Sequence, residues 1–263
     1  VGGPVSARAR RGGRAPGAVV LSGRAPTCML RLMDLLEAMR TTPSTREFTD
    51  DPLPDDVLFD ILDHARFAPN GGNRQAWRVI VVRDADTKRR LRELYDLGMN
   101  EYLAHAAAGH VPFVAVEAHD RSEPAVDLQA ARSQPPMMDN SYLAEVPVLL
   151  VFLLDLSACS AVDSGLDRLS ISAGASVYPF AHNVLLAARA AGYGGHFTSV
   201  WARSEHDVRD LLGIPDHYAL ATVLPLGKPA RVVTKLRRTP VDSFTTVGRF
   251  DGPELTRERA PGE

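Results

Sequence analysis

Residues 67–82 have the sequence FAPNGGNRQAWRVIVV, in which a helix ends, a polar loop follows and a strand begins. Pro69 and the glycines Gly71 and Gly72 end the helix, because proline restricts the residue before it and glycine tolerates a positive φ. The apolar run 79–82 is typical of a buried strand. A loop rich in glycine and amide side chains, between a helix and a core strand, suits close backbone approach to a planar polar ligand. A capped turn with surface amides is the alternative interpretation.

The composition is that of an ordinary globular protein, with 263 residues, 45% hydrophobic and 24% charged, and a formal net charge of −2. This length is sufficient for a sizeable core in one large domain, with two small domains as the alternative. The near-zero charge gives no reason to expect nucleic acid or an anionic membrane as a partner. Cys28 and Cys159 are isolated and predict neither a disulfide framework nor a zinc site, so a cytoplasmic location fits. No apolar run approaches the ~20 residues that a membrane span needs.

The chain divides into three predicted parts. Residues 1–28 carry five arginines, no acidic residue and much Gly, Pro and Ala, so they predict a disordered basic extension. An over-long gene start explains this extension better than a genuine basic tail or a transit peptide. Residues 29–245 form the single predicted domain, in which residues 98–140 lack a regular pattern and predict a mobile insert or lid. Residues 246–263 have no apolar pattern and predict a C-terminal tail.

Apolar periodicity predicts helices that alternate with strands. The predicted helices cover residues 33–40, 57–68, 85–98, 173–191 and 205–212, and a further helix ends at 142–145. Apolar runs predict strands at 79–82, 147–154 and 218–226, with an extended segment at 196–201 and a weaker strand pattern at 113–116. Pro179 is expected to kink the helix that contains it. Gly192 and Gly213 are expected to end their helices.

Two basic clusters are candidates for an anion site. The first places Arg40, Ser44 and Arg46 in one turn-like segment, and guanidinium groups with a hydroxyl bind phosphate well. The second is residues 235–238, with the sequence KLRR. Spacing alone favours solvated charges at both places.

The histidine, serine and acidic residues form no motif for hydrolysis or metal binding. The sequence has no HExxH, no other set with metal-ligand spacing, no nucleophile elbow and no Walker loop. His182 is predicted as a core residue and His64 as a surface residue. His196 follows two glycines and precedes an extended segment, so it is a candidate for lining a site.

Four blocks of sequence, in this order, resemble the nitroreductase family of FMN-dependent oxidoreductases. They are MRTTPSTREFTDDPLPDDVL (39–58), ILDHARFAPNGGNRQAWRVIVVRD (61–84), GASVYPFAHNVLLAARAAGYGG (174–195) and LLGIPDHYALATVLPLGKP (211–229), with the basic stretch behind the last. The resemblance covers residues 32–238, and the second block is its most specific motif.

The resemblance implies an α+β fold with a central, mostly antiparallel sheet flanked by helices, in an intertwined homodimer with two FMN molecules at its interface. The residues that would contact the flavin phosphate, ribityl chain and pyrimidine edge are Arg40, Thr42, Ser44 and Arg46. The flavin of the partner subunit would be approached by five residues of the polar loop, which are Asn70, Gly71, Gly72, Asn73 and Gln75. The residues near flavin N5 would be Phe197, Thr198 and Ser199. The phosphate would also be held by two residues from the far end of the chain, Arg237 and Arg238.

The sequence departs from the usual family pattern at three places. Thr42 and Pro43 stand where the first arginine of the family motif is common, and Arg40 is the candidate substitute. Ala76 stands where a proline is common before the tryptophan. Residues 198–200, TSV, occupy the region in which the family often has glutamate and glycine.

The resemblance implies an enzyme in which the flavin carries the hydride chemistry and the protein supplies binding and electrostatics. NAD(P)H would reduce the flavin and leave, and a flat acceptor such as a nitroaromatic or a quinone would then be reduced in a ping-pong cycle. No catalytic protein residue and no metal is expected, and Arg46 would stabilise the reduced flavin. The insert 98–140 is the candidate cover of the substrate pocket, through Tyr102, Phe113, Met137 and Met138.

Three other functions are left open by the sequence. One is a flavoenzyme dehydrogenase or dehalogenase that acts on a single specific metabolite. Another is a flavin-binding protein without turnover, for storage or sensing. The third is an FMN-free structural dimer, which would follow if the departures at Thr42 and Pro43 abolish binding.

Overall fold

A central antiparallel sheet organises the fold in the computed structural model, which describes residues 33–115 and 126–257. Its strands are β1 (Trp77–Val82), β2 (Val148–Asp155), β3 (Gly194–Gly195) and β4 (Tyr218–Gly227). They lie in the order β1-β2-β4-β3, and each neighbouring pair is antiparallel. Together with the helices that cover the sheet, this confirms the α+β class predicted from the sequence. The homodimer stays a prediction.

The described residues form seven α-helices, several of which begin or end at a residue that explains the boundary. They are α1 (Leu35–Thr41), α2 (Asp55–Ala65), α3 (Ala85–Ala107), α4 (Leu128–Arg132), α5 (Tyr142–Glu145), α6 (Tyr178–Ala190) and α7 (Glu205–Leu212). The Asp34 and Asp84 side chains accept backbone N–H groups at the starts of α1 and α3. Gly213 ends α7 with a φ of 65°, as predicted. Short 3₁₀ helices lie at Gly71–Asn73, Ser172–Ser176, Val200–Ser204 and Asp242–Phe244.

Strand β2 is the centre of the core, because both of its faces are covered. Its alternate residues Val148, Leu150, Phe152 and Leu154 pack against a buried cluster that includes residues of α2 and α6. The residues between them pack on the other face, against a cluster that includes α3 and Trp201. The continuous apolar run thus reflects burial on both faces, as the sequence predicted.

Residues 98–140 are more regular than predicted. Helix α3 continues through Ala107, and α4 lies within the same span. The predicted end at residue 98 was too early because Asn100 and Glu101, which are buried polar residues, interrupt the apolar periodicity. Residues 113–115 form a turn and a bend, so the strand predicted there is wrong for the residues that the structure describes. Val116 lies outside them.

Three other boundaries or environments differ from the predictions. Helix α6 begins at Tyr178, after the 3₁₀ turn at Ser172–Ser176, so Pro179 lies in the first turn and does not kink the helix. The segment 196–201 contributes a bridge from Thr198 to Val223 rather than a strand. Strand β1 is at an edge of the sheet and is only partly buried, whereas its apolar sequence predicted a buried strand.

The predicted ends of the chain lie largely or partly outside the described residues. The basic extension 1–28 is outside them, and the tail 246–263 is described as far as residue 257, where Thr246 pairs with Glu254. The bounds of the single domain and of the lid therefore stay predictions. None of the described helices is both long enough and apolar enough to cross a membrane.

Candidate functional site

The segment 42–48 is fixed against strand β3, and it presents two polar side chains to solvent. The Thr45 N–H donates to the Gly195 carbonyl at 3.0 Å, and Ser44 lies beside Gly195 in a parallel bridge. Ser44 and Arg46 are both exposed. The segment therefore holds a hydroxyl and a guanidinium on a backbone that is tied to the sheet.

Glycine is required at position 195 for this arrangement. An added Cβ would overlap the Pro225 carbonyl and crowd the Leu226 side chain. The close pairing of β3 with β4 thus depends on the missing side chain at Gly195, and the close approach of segment 42–48 depends on Gly194, where an added Cβ would overlap the Thr45 hydroxyl.

Polar rings lie beneath Arg46. His196 is 2% exposed, and its Nδ1 lies 2.8 Å from the Thr45 carbonyl oxygen. The Tyr142 hydroxyl is 3.3 Å from His196 Nε2, and the Arg46 side chain lies within hydrogen-bonding reach of that hydroxyl. Burial lowers the pKa of His196 to about 4 and raises the pKa of Tyr142 to about 12. Both rings are therefore neutral at pH 7, and Arg46 is the charged member of this cluster.

Thr198 lies next to the same cluster, and Ser199 follows it in the chain with its hydroxyl donating to the Ala221 carbonyl at 3.1 Å. Thr198 exchanges two backbone hydrogen bonds with Val223, at 3.1 and 3.0 Å. The Tyr95 hydroxyl faces the Thr198 side chain and Arg46, and both groups lower its pKa. Burial raises the pKa of Tyr95, so this ring also stays neutral. The structure thus brings Arg46 and Thr198, which are far apart in the chain, to one buried tyrosine.

The histidine predictions had mixed outcomes. His64 is at the surface, as predicted, with Nδ1 2.6 Å from the Asp60 carbonyl oxygen. His182 was predicted in the core and is exposed, where its ring stacks on Phe197 at 6.4 Å between centroids. His196, the candidate for lining a site, lies beneath the exposed residues rather than at the surface of the site.

The polar loop 70–75 takes its shape from its backbone. Gly72, Asn73 and Gln75 have positive φ values of 61°, 52° and 50°, in the left-handed region that residues other than glycine seldom adopt. The Asn70 side-chain oxygen accepts from the Gln75 N–H at 2.8 Å, which closes the loop on itself. Positive φ at two residues other than glycine is the kind of local strain found at ligand sites.

A second loop, residues 156–172, supports the polar loop. Arg74 Nη1 donates to Ser160 Oγ at 2.8 Å. Inside the supporting loop, the buried Asp163 carboxylate accepts hydrogen bonds from Arg168, Ser170, Ile171 and Ser172. These bonds, led by that of the Ser172 hydroxyl, hold the pKa of Asp163 far below its usual range. The supporting loop is thus fixed by one carboxylate that stays charged.

The polar loop and segment 42–48 lie at opposite ends of the sheet. The polar loop leads into Trp77, which pairs with Leu154 near the end of β2. Gly195, which holds the segment, pairs with Leu226, and Leu226 pairs with Val148 at the start of β2. An eight-residue strand such as β2 spans roughly 25 Å. The loop is thus far from the Arg46 of its own copy, and its approach to a ligand held by a second copy stays a prediction.

The remaining predicted phosphate contacts are not assembled around Arg46. Arg40 is exposed in the last turn of α1, and the Thr42 hydroxyl donates to a carbonyl of that helix at 2.7 Å. Arg237 and Arg238 are exposed on the extended chain after β4, where Arg238 donates to the Arg237 carbonyl at 2.7 Å. No described contact joins these four residues to Arg46, so their predicted roles stay predictions.

The four predicted pocket-cover residues are partly exposed, and they lie in two places. Tyr102 and Phe113 form a ring pair at 6.3 Å, and the Arg203 guanidinium lies 5.0 Å from the Phe113 centroid. Phe113 has a φ of 53°, which is unusual for a bulky residue. Met137 and Met138 are about half exposed, at 53% and 49%, and the Met137 N–H donates to the Asn100 side chain at 3.0 Å.

A buried carboxylate ties this insert to the segment that follows Thr198 and Ser199. Glu101 on α3 is 1% exposed and accepts from Arg132 of α4 at 2.8 Å and from Arg203 at 2.5 Å. This anchor could not be predicted from the sequence, because its three members are spread over the chain without a local motif. Among the described residues, no group of three His, Cys, Asp or Glu side chains is placed to hold a metal ion.

Comparisons with known proteins agree with this fold. The NADH dehydrogenase of Thermus thermophilus is 26% identical over 223 residues, which cover 81% of this chain and 95% of that protein. The NADPH:FMN oxidoreductase of Vibrio harveyi, solved with NAD⁺, has a TM-score of 0.58 and 19% identity, over 84% of this chain and 79% of that one. An iodotyrosine deiodinase solved with FMN and 3-iodo-L-tyrosine has a TM-score of 0.57 and 20% identity, over 86% of this chain and 100% of that one.

The two solved structures show that the folds are alike. The family to which the chain belongs is shown by a match to a family model. The model of the nitroreductase family matches residues 39–228, which is most of the chain. This span includes the first three blocks in which the sequence resembles that family and all but the last residue of the fourth, and it confirms the prediction. The chain belongs to the nitroreductase family.

Proposed function

We propose that this chain is an FMN-dependent oxidoreductase that takes hydride from NAD(P)H and passes it to a flat acceptor such as a nitroaromatic or a quinone. Membership of the nitroreductase family supports this function. So do the names of similar proteins, which include an NADH dehydrogenase and an NADPH:FMN oxidoreductase solved with NAD⁺.

The observation that carries the proposal is the positive charge of Arg46 above neutral polar rings. Arg46 and Ser44 offer a guanidinium and a hydroxyl at an exposed edge, with Thr198 and Ser199 beside them. These donors fit an anionic, hydrogen-bond-rich flat ligand such as FMN. When bound, FMN supplies the hydride chemistry itself. The role of Arg46 is then to place a permanent cation beside the ring system, and Ser44 orients the ligand.

A homodimer completes the proposed site. The strained loop 70–75 stands at the other end of the sheet from Arg46, so its amides serve a ligand held by the second copy. Asn70, Asn73 and Gln75 would then hydrogen-bond to the edge of that ligand. The inserts with Tyr102, Phe113, Met137 and Met138 would cover the acceptor and exclude water from it.

The test is the visible spectrum of the purified protein after reconstitution with FMN, followed without oxygen on adding NADH and then NADPH. Loss of the oxidised-flavin absorbance on adding a nicotinamide, and its return on adding a quinone, are the expected results. Arg46→Ala is expected to weaken FMN binding by about tenfold to a hundredfold, because hydrogen bonds from a charged group contribute about 1.5–3 kcal/mol. Arg90→Ala, an exposed arginine of α3, is the matched control.

Other outcomes would select the alternatives. Bound FMN that neither nicotinamide reduces would favour a dehydrogenase or dehalogenase with one specific substrate, and the similarity to an iodotyrosine deiodinase supports a halogenated aromatic as the first compound to test. Bound FMN without turnover on any acceptor would favour storage or sensing. A protein that does not bind FMN at all would refute the proposed function.

A further inference from the structure

A chain of polar contacts runs from Arg46 into the interior and returns to the backbone that carries it. The Arg46 guanidinium faces the Tyr142 hydroxyl and lowers its pKa, and that hydroxyl is 3.3 Å from His196 Nε2. His196 Nδ1 is 2.8 Å from the carbonyl oxygen of Thr45, the residue directly before Arg46. The tip of the Arg46 side chain is thereby connected to its own backbone through two aromatic side chains.

The direction of every bond in this chain follows from chemistry. A carbonyl oxygen can only accept, so His196 Nδ1 must carry the proton that bonds to Thr45. A neutral imidazole has one N–H, so Nε2 is an acceptor and the Tyr142 hydroxyl must donate to it. The tyrosine oxygen is then left with lone pairs, which are what the Arg46 N–H groups require.

The acceptor offered to Arg46 is held by rigid parts of the fold. Tyr142 opens α5, and its ring stacks on Phe48 at 6.3 Å. His196 is buried directly after β3, and Thr45 is tied to Gly195 by a backbone hydrogen bond of 3.0 Å. A long arginine side chain on an exposed edge would otherwise adopt many rotamers, and ordering it has an entropic penalty on binding.

We propose that Tyr142 and His196 are positioning residues that hold the Arg46 guanidinium in one orientation toward the ligand. The inference rests on the proposed function, in which that ligand is FMN. Neither residue touches the ligand in this scheme. They act by fixing the direction in which Arg46 presents its charge, and His196 does so as the Nδ1–H tautomer.

The experiment compares Tyr142→Phe and His196→Asn with Tyr218→Phe. The control removes a tyrosine hydroxyl at the opposite end of β4 from this site. The FMN dissociation constant and the midpoint potential of the bound flavin are measured for each protein. Tyr142→Phe is expected to reduce the preference for reduced over oxidised FMN by about tenfold, which for a two-electron couple lowers the potential by about 30 mV. His196→Asn keeps a donor for Thr45, loses the acceptor for Tyr142, and is expected to shift the potential in the same direction.

Two further measurements separate positioning from a general structural effect. In the Arg46→Ala background, Tyr142→Phe is expected to cause no further shift, because the group it positions is gone. Nitrogen-15 NMR of the histidine rings, without any ligand, is expected to show His196 as the neutral Nδ1–H tautomer at pH 7. If His196→Asn does not fold, Tyr142→Phe and these two measurements still test the positioning role.

The outcomes distinguish this inference from the proposed function. Failure of the wild-type chain to bind FMN would refute the proposed function, and the positioning role toward FMN would fall with it. Normal wild-type binding, with a Tyr142→Phe potential equal to that of the control, would refute the positioning role alone. So would an equal shift in the presence and absence of Arg46, or a His196 ring protonated on Nε2.

Discussion

Lowering the pH from 7 to 5 is expected to destabilise the fold through His196, and His196→Asn is expected to remove this part of the pH dependence. Burial lowers the pKa of His196 to about 4, from an ordinary value of 6.5. The groups that face its ring are the Arg46 guanidinium, the Tyr142 hydroxyl and the Thr45 carbonyl. Of these groups, only the Thr45 carbonyl raises the pKa of His196, and burial lowers that pKa by more.

The sign of this change in stability follows from the protonation of His196 in the folded and the unfolded chain. Above pH 6.5 the imidazole is neutral in both the folded and the unfolded chain, and its contribution to stability is fully present. As the pH falls from 6.5 toward 4, the unfolded chain binds a proton that the folded chain does not, so the free energy of unfolding decreases. With these values the decrease is about 2 kcal/mol between pH 7 and pH 5, and about 3 kcal/mol at its limit below pH 4.

Urea denaturation at pH 7, 6 and 5 measures this decrease for the wild type, His196→Asn and His206→Asn. His206 is an exposed histidine of α7, so its variant controls for the loss of a histidine as such. Burial raises the pKa of Asp96, which gives a pH dependence of opposite sign, but this term is common to all three proteins and cancels in the differences. Equal losses of stability in the wild type and in His196→Asn would refute the assignment of a buried neutral imidazole.

Three further predictions concern the parts that support the site. Glu101→Gln is expected to lower the free energy of unfolding by about 2 kcal/mol, because two partly exposed arginines lose their buried counter-charge. Urea denaturation checks this, and a loss no larger than that of Glu93→Gln on the same helix would contradict it. Gly195→Ala is expected to lower the free energy of unfolding by about 3 kcal/mol, because the new methyl group would overlap the Pro225 carbonyl; an unchanged melting temperature would contradict that overlap. Asp163→Asn is expected to speed amide hydrogen exchange in residues 156–172, and mass spectrometry that finds wild-type exchange there would show that the carboxylate does not hold that loop.

Much of the fold could be predicted because its central elements have simple local signals. Strands β2 and β4 are nearly continuous apolar runs, and Gly213 marks the end of α7. The length of α3 could not be predicted, because Glu101 and its neighbour Asn100 are polar residues on its buried face. Their burial depends on partners in distant segments, which a local pattern does not contain.

The candidate site could likewise be predicted only in part from the sequence. A role for Arg46 and for the loop 70–75 could be predicted from the sequence, because each lies in a block with a family resemblance. The contact between the Tyr142 hydroxyl and His196 could not be predicted, because it joins residues on two elements that meet only in the folded chain. The reason why Arg46 has a fixed acceptor beneath it is therefore visible only in three dimensions.

The central position of β2 has a consequence for the order in which the chain folds. Its partners come from both directions along the sequence, since Val82 pairs with Leu149 and Val148 pairs with Leu226. Pairings of this range slow folding, because loop closure must precede the contacts that reward it. During synthesis the apolar run 148–154 leaves the ribosome well before β4 exists, and an uncovered run of that kind tends to aggregate. A nascent chain arrested before β4 is therefore expected to bind chaperones strongly, whereas the completed chain is expected to release them.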